Sequence, residues 1–184
     1  MTTVTLSQAP ITVAGIPIPS DAPLFLAVLV IHVAAGISCV ITGAVAMLSP
    51  KRAGRHPRLG TLYYCGLIVV FSTMGVLSVM RWVQDYHLFI LGVLSFTAAF
   101  VGRQAAPSRA TPRIRVHVIG MGLSYILLLT AFYVDNGKNL PLWRLLPPLA
   151  YWLVPLAVGA PIIVRVLLRH PLMRTQRGGL QGAA

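Results

Sequence analysis

Four of the five histidines in this 184-residue chain fall where an imidazole is costly to keep. His32 lies inside a long apolar run, His56 opens a second, His87 stands near one end of a third and His117 near one end of a fourth. An ionisable ring in hydrocarbon is unfavourable unless something binds it, so an intramembrane histidine is a functional candidate by default. Two imidazoles facing each other across a helical bundle make the axial pair that a b-type haem takes, and a second pair makes a second site. Each ring also has an ordinary reading: His32 as a polar residue satisfied by a neighbouring helix, His117 as a ring within reach of water, His87 at an interface that tolerates histidine, and His56 in a basic turn facing phosphate. His170, beside Arg169 beyond the last apolar run, is read as interfacial.

The elements that must position these rings follow from composition. The chain is 57% hydrophobic and 10% charged with mean hydropathy +0.80, which makes it an integral membrane protein. A formal charge of +12 would suggest nucleic acid in a soluble chain. Here the basic residues fall between apolar segments, where they set topology and meet anionic headgroups, so no nucleic-acid partner is expected. Cys39 and Cys65 both lie within apolar runs and read as packed thiols, not a disulfide.

The expected fold is all-α with five transmembrane helices. Residues 1–22 read as a short, uncleaved extracytoplasmic tail without Lys or Arg, 23–168 as the membrane domain and 169–184 as a basic cytoplasmic tail. The spans predicted are Pro23–Leu48, Leu59–Met80 with a start at His56-Pro57, His87–Val101, which is short unless it begins at Asp85, Val116–Val134 and Leu146–Leu168. Pro155 and Pro161 each remove an intrahelical bond in the last of these, which predicts a proline-kinked fifth helix beside a four-helix bundle core.

Charge orients the chain. Twelve of fifteen basic residues lie on the side of the first and third turns and the C-terminus, while Arg81, Lys138 and Arg144 lie opposite with all three acids. The positive-inside rule then puts the N-terminus outside and the C-terminus in the cytoplasm. His32 comes about 12–15 Å from the outer end of its helix by the standard rise. His32 and His87 form an outer pair on helices one and three, and His56 and His117 an inner pair on helices two and four. Gly36 and Gly43 after His32, Gly60 after His56 and Gly120 after His117 would let a flat macrocycle approach the backbone, although small residues also line ordinary helix contacts in membranes.

Histidines paired first with third and second with fourth near opposite faces resemble the dihaem core of the transmembrane b-type cytochromes that act as ascorbate and ferric reductases. The stretch His32 to Tyr64, with H-x-x-x-G at its start and the basic G-x-H-x-x-x-G at Gly54, His56 and Gly60, is also similar to a bacterial family of predicted membrane proteins without an assigned function. The cytochrome resemblance implies haem b on His32 and His87 and on His56 and His117. It further implies Arg55, Arg58 and Arg115 near the inner propionates and Arg81 or Lys138 near the outer ones, since guanidinium suits carboxylate. The intervals between the histidines are shorter than that family's.

The reading that results is a small electron-transfer protein, which leaves a membrane oxidoreductase open, passing electrons between a small-molecule or quinone donor and an acceptor. Tyr63, Tyr64 and Trp82 could flank such a donor or simply anchor the chain in lipid. Two other classes stay open: a proton-coupled transporter built on the proline-rich fifth helix, and a structural subunit without haem. Hydrolysis is disfavoured, because no intramembrane carboxylate is available to activate water.

Overall fold

The computed structural model describes residues 11–13, 16–50, 54–106 and 110–169. Lys51 and Arg52 in the first basic turn, Arg109 in the second, and the tail from His170 onward with Arg174 and Arg177 lie outside the described residues. Five helices account for most of the chain: α1 (Pro23–Leu48), α2 (Arg55–Met80), α3 (Trp82–Ala105), α4 (Thr111–Asn136) and α5 (Pro148–Arg169). All five are long and apolar enough to cross a membrane. Within the tail 1–22, β1 (Ile11–Val13) and β2 (Ile16–Ile18) pair as a small antiparallel hairpin, Ile11 opposite Ile18, so the described chain is helical apart from this element. Ile18 packs on a cluster of Ala22, Phe25 and Leu77.

Polarity is distributed inside out. Val30, Leu48, Val83 and many other large apolar side chains face outward, whereas Ser78, Ser95, Ser124 and Thr130 are buried. Water would penalise so continuous an apolar surface, and hydrocarbon would not. Cys39 is buried and Cys65 exposed, and both are free thiols.

Helix starts follow local chemistry. Proline occupies the first turn of α1 and of α4, where a missing N–H has no partner to lose. Gly54 precedes α2 at φ 111°, a left-handed backbone that a Cβ disfavours. Gly54→Ala should therefore destabilise the protein by about 1–2 kcal/mol, read as a lowered melting midpoint in detergent.

Two helices begin earlier than hydropathy predicts. α3 starts at Trp82 and not at His87, because Arg81 ends α2 with a single non-helical residue (φ −140°, ψ 45°) and the next helix resumes at once. Asp85 suits that first turn, where its carboxylate meets the positive end of the helix dipole and lies 3.5 Å from Arg81. His87 accordingly occupies the second turn of α3. α4 starts at Thr111, which makes Arg113 and Arg115 helical and moves His117 from the first turn to the second. α5 is helical throughout, with Pro155 and Pro161 inside it.

The chain divides into two compact units, one up to Phe89 and one from Ile90, and α3 contributes to both. In the first unit α1 packs along α2, and Phe71 of α2 stacks with Phe89 of α3 at 6.4 Å between ring centroids. In the second, α4 packs on α5, and Tyr133 stacks on Trp143 at 3.8 Å where the chain passes from one to the other. α3 and α4 meet through glycines: a Cβ on Gly120 would stand 2.7 Å from both the Ala98 carbonyl oxygen and the Gly102 Cα. Those are backbone atoms, so Gly120→Ala must push the helices apart at a cost of about 1–3 kcal/mol. Gly36→Ala meets nothing within 4 Å and should be neutral or stabilising. A thermal melt of the pair of variants checks the contrast.

Candidate functional site

The seam between α1 and α2 repeats every seven residues. Phe25, His32, Cys39 and Ala46 line the α1 side, and His56, Tyr63, Val70 and Leu77 line the α2 side. Sevenfold spacing keeps one face of a helix turned toward its partner. Antiparallel register then sets Ala46 beside His56 and Cys39 beside Tyr63. His56 Nδ1 donates to the Ala46 carbonyl at 2.9 Å, and the Cys39 thiol reaches the Tyr63 carbonyl at 3.5 Å. One further step along α1 brings His32, whose Nδ1 lies 2.9 Å from Thr73 Oγ1 on α2.

The hydrogen bonds bear on the tautomers. A backbone carbonyl only accepts, so His56 carries a proton on Nδ1, and a neutral ring then has its lone pair on Nε2. Thr73 Oγ1 also lies 2.7 Å from the Val69 carbonyl and 3.0 Å from the Val70 carbonyl, and with its hydrogen on either of these its oxygen is left to accept from His32 Nδ1. In that arrangement a neutral His32 has the same tautomer as a neutral His56.

The α3–α4 seam repeats the arrangement. His117 Nδ1 donates to the Gly102 carbonyl at 2.9 Å, and one sevenfold step away Ser95 Oγ donates to the Ser124 carbonyl at 2.9 Å. Cys39, Ala46, His56 and Tyr63 in the first hairpin thus have counterparts in Ser95, Gly102, His117 and Ser124 in the second. His56 and His117 are equivalent residues of two like hairpins, each fixed by the helix that precedes it. His32 has its counterpart at Leu88, so His87 is displaced by one position from that register.

His87 is partly buried, with its ring edge-on to Tyr86 at 5.6 Å. It belongs to the first compact unit with His32 and His56, whereas His117 belongs to the second. Gly36 and Gly60, one turn beyond His32 and His56, face open space, unlike Gly120, which packs on α3. Arg55 and Arg58 in the first turn of α2 and Arg115 near the start of α4 are exposed. Tyr63 is buried in the α1–α2 seam, while Trp82 is half exposed and tilted against Phe89 at 5.7 Å.

Imidazoles held in this way are suited to binding a metal. Ligating histidines commonly donate the other ring N–H to a carbonyl or similar acceptor, which fixes the ring and raises its basicity. His32, His56 and His117 meet that requirement of a haem ligand, and the open backbone at Gly36 and Gly60 suits a flat group. Among the described residues no three His, Cys, Asp or Glu side chains cluster as a metal site. Two histidines would suffice for a haem.

Comparison with known proteins gives no match: no family model fits the chain, and no curated protein or solved structure is significantly similar to it.

Sequence inspection alone passes over Thr73, yet the register of the hairpin leads to it. Stepping by sevens from Ala46 and His56 reaches His32 on one helix and Val70 on the other, and Thr73 is one turn beyond Val70. The acceptors at Ala46 and Gly102 carry no such signal, because they are main-chain atoms.

Proposed function

We propose that this protein is a b-type cytochrome of the bacterial cytoplasmic membrane, with haem held by His32 and His87 and by His56 and His117. In this proposal the four histidine-bearing helices form the core of the membrane domain, with the N-terminus outside and the C-terminus in the cytoplasm. The observation that carries it is the shared hydrogen bonding of His32, His56 and His117 through Nδ1, the arrangement in which a neutral imidazole ligates a metal through Nε2. Of the two pairings, His32 with His87 joins residues of one compact unit, while His56 with His117 rests on the topology read from the sequence and on the equivalence of their two hairpins.

Bound haem would supply one-electron transfer between a quinone or small-molecule donor and an acceptor. The chain's own residues orient the imidazoles and surround them with apolar helix, and their basic groups receive acidic ones. Arg55 and Arg58 occupy the first turn of α2, which has no acidic residue or side-chain cap. Cations are disfavoured at that end of a helix dipole by about 0.3–1 kcal/mol each, so an anion such as a haem propionate would be favourable there.

The pyridine haemochrome assay on purified full-length protein tests the reading. One or two haem b per chain is the expected result. A chain from haem-replete cells that contains none would refute it.

A further inference from the structure

An apolar groove of about 400 Å³ runs between α3 and α4, lined by Leu94, Ala98 and Val101 on one helix and by Val116, Ile119 and Leu123 on the other. The lining positions step by three and four residues, so the groove follows the two helices lengthwise. One turn farther along the same faces stand Gln104 on α3 and Arg113 on α4. Arg113 Nη2 donates to the Gln104 carbonyl at 3.4 Å, which draws its guanidinium across the end of the groove. The Arg113 side chain is exposed, and Arg103 and Arg115, also exposed, stand at the same ends of the two helices. No acid lies in the first turn of α4, and the one acid of α3, Asp85, is at its opposite end.

We propose that this groove binds one anionic phospholipid, with an acyl chain between α3 and α4 and the phosphate on Arg113. The apolar lining suits an alkyl chain, and its volume falls within the range of small-molecule sites. Arg113, with Arg115 at the same end of α4, favours a headgroup with net negative charge over a zwitterionic one. Arg113 is near the positive end of the α4 dipole, where an anion removes an unfavourable interaction. A second copy of the chain is a poorer occupant, because it would bring the same cations to the same place. The inference depends on these helices lying in a bilayer and is independent of haem.

Native mass spectrometry of the full-length protein in neutral detergent, with equimolar phosphatidylglycerol and phosphatidylcholine, provides the test. One phosphatidylglycerol should be retained in about tenfold preference, and Arg113→Gln should cut that preference about fivefold. Ile119→Trp, at an exposed position, should fill the groove and release lipid of both kinds, and Val101→Trp should do the same. Circular dichroism establishes that each variant is folded; should neither tryptophan variant fold, the surface change at Arg113 decides alone. An unchanged preference in Arg113→Gln, unchanged retention in a folded tryptophan variant, or a dimer that buries the groove would overturn the proposal.

Discussion

Replacing His117 with glycine is expected to remove one haem from the protein, and replacing His56 with glycine should have the same effect. The equality follows from their positions. Each ring is held by one carbonyl of the preceding helix, Ala46 for His56 and Gly102 for His117, at the same 2.9 Å. If both serve one haem, the two variants should lose the same absorption band and the same share of haem. Added imidazole should restore part of the band in each, since the missing ligand atom can be supplied from solution while the helices remain. Loss of stability without loss of haem would mark both residues as helix ties, each worth about 1 kcal/mol. Either residue lost without haem loss would remove it from the ligand set.

The second large effect is expected at His32 and its partner. His32→Ala should abolish one haem, whereas Thr73→Val should retain it more weakly. Valine has nearly the shape of threonine but offers no oxygen to His32 Nδ1, so the imidazole loses the bond that orients it. Outer-shell changes of this kind typically cost about 10- to 100-fold in metal affinity. Thr73→Ser should stay close to the parent, because a serine hydroxyl can make the same pair of bonds. Haem loss to an excess of a soluble haem-binding protein measures the series. Equal loss rates for Thr73→Val and Thr73→Ser would show that the Thr73 bond does not position a ligand.

Much of the scaffold was legible because apolar runs and turn residues are local signals. The predicted bounds of α1 coincide with the helix, and the His56-Pro57 start of α2 lies within its first turn, with Gly54 as the punctuating residue. α3 was harder to place because Gln84 and Asp85 look like a loop by hydropathy, although an acid belongs in a first helical turn. α4 was obscured in the same way by Arg113 and Arg115, which are helical despite their charge.

The candidate site was legible in its residue types and less so in its geometry. His32, His56 and His117 are conspicuous in the sequence, but the atoms that determine their tautomers are mostly backbone carbonyls of another helix. Equivalence of the two hairpins is also faint in the sequence, because Cys39 answers to Ser95 and Ala46 to Gly102, different side chains at like positions. The structure thereby shifts emphasis to His56 and His117. His56, read as a turn residue on charge alone, is tied into α1 as firmly as His117 is tied into α3. His87, placed one residue off the register of His32, has its ring edge-on to Tyr86.

The most direct measurement is the reduced-minus-oxidised visible spectrum of the full-length protein purified from haem-replete cells. The proposal predicts the narrow bands of a low-spin b-type cytochrome, diminished in the His56, His117 and His32 variants. A colourless preparation, or a haem spectrum unaltered when these three histidines are replaced together, would contradict it.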